Sequence, residues 1–349
     1  MYPETRKQIT DKRLRGVYPG VVYGFINGAG EEVVAEGLAQ VLEQEVTMTA
    51  AKRFDVASLT KVICTTTVLL KLWEAGMIDW DQPLRHYLPA FGNDQITIRH
   101  LLTHTSDIRT WIPQRDQLDK RGLRAAYLQL EPGADLGRKV VYTDAGTILL
   151  GFMLEEIFGG LPVVEIFRQE VLQPLGIHHS GFLPTAEELA DVVPTALLAD
   201  GRLLKGVTHD PKARVLEEHA GNAGLFTDVG DLLIFSRMLL AKGALPDGTQ
   251  FLKPETIQML LQDQTPDGRG HRSLGWDLRS GGAATGQAAL FHTGYTGTFL
   301  LVDVASGEAF VFLSNRVHLQ DQREAYIVQR DEIIAQYQKE RGAFSEKVL

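Results

Sequence analysis

Two hairpin patterns at opposite ends of the chain limit its fold more than any other feature. Near the start, the strand-like runs 21–26 and 32–35 flank an Asn-Gly turn at 27–30. Near the end, the runs 298–303 and 309–313 flank a Gly-containing turn at 305–308 in the same way. The simplest architecture that uses both hairpins is one antiparallel sheet assembled from N- and C-terminal strands.

Helical patterns surround these strands and fill the middle of the chain. Residues 4–16 and 321–340 are helix-compatible, and residues 59–74 carry apolar side chains at helical spacing up to Gly76. A further helix should follow Thr227-Asp228 and end at Gly243.

These patterns predict an α+β fold in a single domain of residues 1–349. An α/β subdomain of about 1–80 and 216–349 would contain the sheet and its flanking helices. A mainly helical subdomain of about 81–215 would be inserted between the two halves, because short helical patterns alternate there with loop signals.

Composition and charge narrow the class of protein. The 349 residues are 44% hydrophobic and 23% charged, as in an ordinary folded globular protein, and the formal net charge is −9. An acidic chain lacks the basic surface that nucleic-acid binding requires, so we expect no nucleic-acid partner. The start has no apolar secretory segment, and no run of about 18 apolar residues follows. We therefore expect a soluble protein without a transmembrane segment, and a cytoplasmic one unless a leader has been trimmed.

One serine–lysine pair indicates nucleophilic chemistry. Lys61 follows Ser58 by three residues, which on a helix places both side chains on one face. A serine hydroxyl becomes a good nucleophile when a nearby base accepts its proton, and a buried lysine with a lowered pKa can be that base. The helix start beneath Ser58 also offers backbone N–H groups to a developing oxyanion. Taken alone, Ser-x-x-Lys is equally compatible with two solvated surface residues.

Further motifs resemble the serine β-lactamase and penicillin-binding-protein superfamily, in particular its class C β-lactamase-related branch of esterases, D-amino-acid peptidases and DD-peptidases. Ser58-Leu59-Thr60-Lys61 matches the first motif, and His292-Thr293-Gly294 stands in the place of Lys-Thr-Gly. Tyr142-Thr143-Asp144 resembles the Tyr-x-Asn motif of the branch. Accessory stretches in family order extend the resemblance over about residues 15–330, at 101–106, 131–133, 174–176 and 221–226.

The resemblance implies a β-lactamase/transpeptidase-like fold and a role for each motif residue. Ser58 would form an acyl-enzyme, while Lys61 and Tyr142 would pass the proton between nucleophile and leaving group. The backbone N–H groups of Ser58 and Tyr295 would form the oxyanion hole. The substrate site would also include Asp144, His292, Thr293 and Gly294.

Two departures from the family motifs bear on the substrate. Asp144 replaces an asparagine, and an ionised carboxylate only accepts hydrogen bonds and favours the charged form of Lys61. This change counts against recognition of amides. His292 replaces a lysine and is largely neutral near pH 7, which predicts weaker binding of a β-lactam or peptide carboxylate. Alternatively, both positions vary without consequence.

The remaining signals indicate neither a metal nor a cofactor. His100 and His104 form His-x-x-x-His, but Leu101 stands where a zinc peptidase has glutamate, so we interpret His104 as a loop or packing histidine. Cys64, the single cysteine, follows Lys61 by one turn and is expected to be a small buried apolar residue. No α/β-hydrolase elbow, phosphate loop or dinucleotide motif is present.

The sequence thus predicts a cofactor-free serine hydrolase that acts through an acyl-enzyme on a small ester or a D-amino-acid-type amide, with β-lactam hydrolysis at most secondary. The alternative is a penicillin-binding-protein-like binding or sensor protein that is acylated slowly without efficient turnover, because Asp144 impairs the lysine base. Both hypotheses require a small-molecule ester, peptide or β-lactam as partner. No pattern indicates the oligomeric state.

Overall fold

The computed structural model describes residues 1–281 and 286–345, with side chains through Arg341. In this part of the chain, seven strands form one sheet in the order β3-β2-β1-β9-β8-β7-β6, and β4 pairs with β5 apart from it. The strands are β1 (Gly20–Asn27), β2 (Gly30–Gln40), β3 (Val46–Thr47), β4 (Phe54–Asp55), β5 (Phe226–Thr227), β6 (Asp277–Ser280), β7 (Ala288–Gly294), β8 (Thr298–Asp303) and β9 (Glu308–Ser314).

Both predicted hairpins are present and lie side by side. Strands β1 and β2 form the first hairpin, and strands β8 and β9 form the second. Strand β1 pairs antiparallel with β9, with Phe25 opposite Phe310, so the two ends of the chain meet in the middle of the sheet. The predicted α+β class and its antiparallel sheet are confirmed.

Helices flank the sheet and fill much of the segment between β4 and β5. They are α1 (Pro3–Leu14), α2 (Thr67–Glu74), α3 (Leu84–Tyr87), α4 (Ile98–Leu102), α5 (Lys120–Leu128), α6 (Ala145–Ile157), α7 (Val163–Phe167), α8 (Pro211–Leu216), α9 (Val229–Leu240), α10 (Pro254–Leu260) and α11 (Arg323–Ser345). Helix α9 begins where predicted, because the Asp228 carboxylate accepts the Asp231 N–H at 2.9 Å as an N-cap. Within the described residues, no helix is long and apolar enough to cross a membrane.

The sheet is covered on both faces because side chains alternate along each strand. Val21, Tyr23 and Phe25 of β1 belong to one apolar cluster, which also includes residues of α1 and α11. Val22 and Ile26 belong to the larger cluster that includes residues of α2, α6 and α9. Central strands buried on both faces are held rigidly, and β7, which borders the site, pairs directly with one of them.

The helix predicted over 59–74 has an unexpected interior. Its segment Lys61–Thr66 is π-helical, and regular α-helix begins only with α2. The Thr67 hydroxyl donates to the Val62 carbonyl five residues back at 3.1 Å, which satisfies an acceptor in the widened turn. Such wide turns recur at functional sites, and this one begins at Lys61. The helix stops before Gly76, as predicted.

Candidate active site

Ser58 lies in a tight turn between β4 and the helix that carries Lys61. The Asp55 carboxylate, buried at the end of β4, accepts the Ala57 N–H at 2.8 Å, and Ala57 adopts a positive φ of 45°. The Leu59 N–H then donates to the Val56 carbonyl at 3.1 Å, which starts the helical turn. This local structure places Ser58 immediately before the first turn, with its backbone N–H outside the helical hydrogen bonding.

Lys61 is buried, and its ammonium group makes three short polar contacts. Its Nζ lies 2.7 Å from Ser58 Oγ, 2.7 Å from Asp144 Oδ1 and 3.0 Å from the Asn222 carbonyl oxygen. An ammonium has three N–H donors, so these partners satisfy it completely. Nucleophile and lysine are therefore in direct contact, and Lys61 is held from three sides.

Asp144 contacts a second lysine. Its Oδ2 lies 3.1 Å from Lys212 Nζ, which is also 2.7 Å from Asp210 Oδ2. Burial raises the pKa of the Asp144 carboxyl, but the charges of Lys61 and Lys212 and their hydrogen bonds outweigh burial, so the net pKa is well below its usual range. Asp144 is thus a permanent anion between two cations.

The protonation of Lys61 differs from what a lysine base requires. Burial alone lowers the pKa of Lys61, but the charge of Asp144, its hydrogen bond and the interaction with Tyr142 raise it more, so the net pKa is above its usual range. Lys61 is therefore an ammonium at neutral pH. The Asp144 carboxylate causes this, because an asparagine there would have no charge to hold the proton.

Tyr142 stands over Lys61 at the surface of the site. Its side chain is 48% exposed, and the Lys61 Nζ lies 5.3 Å from the centre of its ring. The buried His104 ring packs against it with centroids 4.4 Å apart, and the His104 Nδ1 accepts the Thr143 N–H at 3.4 Å. His104 is thus a packing residue, as predicted, and it supports Tyr142.

His292 is a buried neutral imidazole. Its Nδ1 lies 3.0 Å from the Thr293 carbonyl oxygen, and since a carbonyl can only accept, Nδ1 carries the proton and Nε2 is an acceptor. Burial, with the nearby charges of Arg272 and Lys61, places the pKa of His292 well below its usual range. The prediction that His292 cannot replace the permanent charge of a lysine therefore has a physical basis.

Arg272 lies close to these rings. It is 9% exposed, and its Nε and Nη2 have no hydrogen-bond partner among the described residues, while Nη1 is 3.9 Å from Asp277 Oδ1. Its charge contributes to the lowered pKa of both His104 and His292, and it interacts with Tyr142. Arg272 thus supplies positive charge on the side of the site where His292 replaces lysine.

The turn after β7 is fixed against the strand that precedes Ser58. The Thr296 hydroxyl donates to the Asp55 carbonyl at 2.6 Å, and the Thr298 hydroxyl donates to the Val56 carbonyl at 3.3 Å. A Cβ on Gly294 would lie 2.2 Å from that same Val56 oxygen, so glycine is required for this approach.

Tyr295 is the first residue of this turn, and its backbone carbonyl and its phenol bind different partners. The Arg316 guanidinium donates from Nε to the Tyr295 carbonyl at 3.0 Å, and the Tyr295 phenol bonds Asp321. Among the described groups, the backbone N–H groups of Ser58 and Tyr295 have no acceptor. Both donors are available to an oxyanion, and the Tyr295 side chain takes no part in the contacts around Lys61.

The structure brings together most of the predicted site residues. Ser58, Lys61 and Asp144 are in hydrogen-bond contact, and the rings of Tyr142 and His292 lie 6.1 Å apart. Thr293 contributes its carbonyl to His292, and Gly294 and Tyr295 form the adjacent strand end.

Sequence reasoning missed three site residues: Asn222, Lys212 and Arg272. Asn222 lies in the accessory stretch 221–226, so its motif could have indicated it. Lys212 and Arg272 stand in segments without a readable pattern. Within the described ranges, no group of three or more His, Cys, Asp or Glu side chains could hold a metal ion.

An antiparallel sheet from both chain ends, with a serine at the start of the helix that follows β4, defines the β-lactamase/transpeptidase fold. A class C beta-lactamase mutant superposes with a TM-score of 0.74 at 17% identity, over 96% of this chain and 98% of that one. EstCE1, "a hydrolase with promiscuous acyltransferase activity", superposes with a TM-score of 0.72 at 20% identity, over 95% and 97% of the two chains. At these identities the likeness concerns the fold.

The Beta-lactamase family model matches residues 6–332, so the chain belongs to the beta-lactamase family. A protein of Escherichia coli (strain K12) named "Putative D-alanyl-D-alanine carboxypeptidase" is 27% identical, over 80% of this chain and 72% of that protein. An "N-acetylmuramyl-L-alanine amidase" of Bacillus subtilis (strain 168) is 27% identical, over 89% and 80% of the two chains. The family and its neighbours indicate a hydrolase of this fold.

Proposed function

We propose that this chain is a serine hydrolase that forms an acyl-enzyme on Ser58. The observation that carries the proposal is the 2.7 Å contact between Ser58 Oγ and the buried Lys61 Nζ, next to two backbone N–H donors without acceptors. A nucleophile with a fixed proton-transfer partner and preformed oxyanion donors is the arrangement that acyl transfer requires.

In the proposed mechanism Tyr142 rather than Lys61 receives the proton. Because Asp144 keeps Lys61 protonated, Lys61 positions Ser58 Oγ and offers positive charge instead of accepting the proton. The Tyr142 oxygen, reacting as the phenolate, takes the proton from Ser58 as the new C–O bond forms, and returns it to the leaving group as the scissile bond breaks. Water then attacks the acyl-enzyme. Tyr142 takes a proton from the water and returns it to Ser58 Oγ as the bond between Ser58 and the acyl group breaks.

Arg272 bears on which substrates the site can bind. Its Nε and Nη2 have no described partner, and it lies beside His292, where family members carry a lysine for a substrate carboxylate. A substrate with a free carboxylate, such as a peptide ending in a D-amino acid, would satisfy these donors. The name of one relative, "Putative D-alanyl-D-alanine carboxypeptidase", agrees with this class, whereas that of the other, "N-acetylmuramyl-L-alanine amidase", refers to an L-amino-acid amide. We therefore propose small esters and carboxylate-bearing D-amino-acid amides as substrates, with β-lactam hydrolysis at most secondary.

One observation favours a second function, that of a sensor which is acylated without efficient turnover. Deacylation needs a base to activate water, and the ion pair between Asp144 and Lys61 removes the lysine from that role. If Tyr142 alone is too slow, the acyl-enzyme accumulates.

The test compares the parent with Ser58→Ala and with Ser306→Ala, whose serine lies in the exposed β8–β9 turn. The substrates are p-nitrophenyl acetate, nitrocefin and a peptide ending in D-Ala-D-Ala. Sustained turnover that is lost only in Ser58→Ala supports the hydrolase, and a single stoichiometric burst supports the sensor. Equal activity in all three proteins would refute acylation on Ser58.

The role of Arg272 is tested by comparing two variants on a charged and an uncharged substrate. Arg272→Gln should raise KM about tenfold or more for the peptide, because a charge-assisted hydrogen bond contributes about 1.5–3 kcal/mol, and should leave KM for the uncharged ester nearly unchanged. Arg272→Lys, which keeps the charge, should recover part of the loss. An equal change for both substrates would contradict carboxylate binding.

A further inference from the structure

Lys212, which belongs to none of the sequence motifs described above, occupies the far side of Asp144. It is the second residue of α8, its side chain is 17% exposed, and its Nζ lies 3.1 Å from Asp144 Oδ2. The two oxygens of Asp144 therefore hold one ammonium each, Lys61 on Oδ1 and Lys212 on Oδ2. A lone surface lysine would not be fixed in this way.

The position of Lys212 is set by a second carboxylate. Asp210 accepts the Ala213 N–H at 2.8 Å on Oδ1 and the Lys212 ammonium at 2.7 Å on Oδ2. The Asn222 side chain donates to Asp210 at 3.2 Å, while its backbone carbonyl accepts from Lys61 at 3.0 Å. The contacts thus close a ring through Lys61, Asp144, Lys212, Asp210 and Asn222.

We propose that Lys212 is a positioning residue that keeps Asp144 from neutralising the Lys61 charge beside Ser58. The proposal rests on acyl transfer at Ser58, the function proposed above. A carboxylate next to one ammonium offsets most of its positive charge, whereas a second cation on the other carboxylate oxygen takes up part of the negative charge. Lys212 thereby leaves more of the Lys61 charge to favour transfer of the Ser58 proton to Tyr142 near neutral pH.

Other charged and titratable groups surround the Lys61–Asp144 pair. The charge of Asp144 acts to raise the pKa of His104 and of His292, and the charge of Arg272 acts to lower both. Among the described residues, the titratable or charged groups facing the pair are Tyr142 beside α6, Tyr127 on α5, Lys212 and Asp210 at α8, His104 after α4, His292 on β7 and Arg272 before β6. Lys212 differs from the other cations in touching Asp144 directly without touching Ser58.

The test measures kcat/KM against pH for p-nitrophenyl acetate in the parent, Lys212→Met, Asp144→Asn and the double variant. Because Lys212→Met removes a cation, the rising limb of its pH profile should lie about one pH unit higher than in the parent. At pH values below that limb, kcat/KM should be about tenfold lower. In the Asp144→Asn background the same substitution should shift the limb far less, because the carboxylate that transmits the effect is gone. Lys212→Arg, which can still bind both carboxylates, should restore the parent profile.

Lys120→Met is the matched control, since Lys120 pairs with Glu217 just after α8 on the surface. An unshifted limb in folded Lys212→Met would overturn the role of Lys212. So would an equal shift in both backgrounds, because Lys212 would then act without Asp144. A parent without acylation that depends on Ser58 would refute the proposed function itself, and the role of Lys212 with it.

Discussion

Gly294→Ala should disable the proposed oxyanion hole while leaving the fold in place. The added Cβ would lie 2.2 Å from the Val56 carbonyl oxygen and 2.2 Å from Thr298 Oγ1, whereas ordinary contacts begin at 3.4 Å. Both neighbours are fixed, because Val56 is in the Ser58 turn and Thr298 starts β8. The end of β7 must therefore move away from Ser58 by about 1 Å, and the Tyr295 N–H moves with it.

A displacement of about 1 Å at a catalytic group can cost about 100-fold in rate, or about 2.7 kcal/mol of transition-state stabilisation. Since oxyanion donors act mainly in the transition state, kcat should fall much more than KM rises. Overpacking should also cost about 1–3 kcal/mol of stability, so the assay is run on protein shown to be folded by circular dichroism.

The matched control is Gly28→Ala in the β1–β2 turn, where an added Cβ would meet nothing within 4 Å. Its kcat for p-nitrophenyl acetate should equal that of the parent. If folded Gly294→Ala keeps its kcat within about threefold of the parent, the turn at 294–298 does not position an oxyanion donor and the reasoning fails.

Two further predictions concern buried titratable groups. Burial raises the pKa of Asp55 to about 6, although the N–H groups of His209 and Ala57 oppose it, so this carboxyl is protonated more readily in the folded than in the unfolded chain. Its contribution to stability is complete below about pH 4 and is lost as pH rises through 6, by about 3 kcal/mol. The unfolding free energy of the parent minus that of Asp55→Asn should therefore fall by this amount between pH 4 and 7 in urea titrations, and a constant difference would contradict the shift. Burial likewise raises the pKa of Cys64, which is 0% exposed. Ellman's reagent should find no reactive thiol in the native protein and one in urea, and rapid native labelling would contradict the burial.

The sequence patterns predicted the hairpins and several helix ends because these depend on neighbouring residues. The turn at 27–30 and the Asp228 cap need only a few adjacent side chains, and both form as expected. The π-helical segment could not be predicted, because the six residues Lys61–Thr66 are too few to distinguish the two helical periods.

The site residues also divide into those that local sequence could predict and those that it could not. Ser58 and Lys61 are adjacent through local helical geometry, so their spacing was informative. Lys212 and Arg272 reach the site only because α8 and the segment before β6 fold against it, and nothing near them in the sequence indicates that partner. Likewise, the sequence suggested that Asp144 would hold the Lys61 proton but not that a second lysine shares Asp144.

The pairing of β1 with β9 determines when the enzyme can exist during its synthesis. Gly20 bonds Asn315, 295 positions away in the chain, and the Ser58 turn is bonded by Thr296 and Thr298. A nascent chain that lacks β8 and β9 therefore carries Ser58 without the strands that hold Tyr295, whose N–H is the proposed oxyanion donor, and without the centre of its sheet. Such long-range pairing is slow, so we expect ribosome-bound chains to gain reactive Ser58 late and abruptly, once the last strands have emerged.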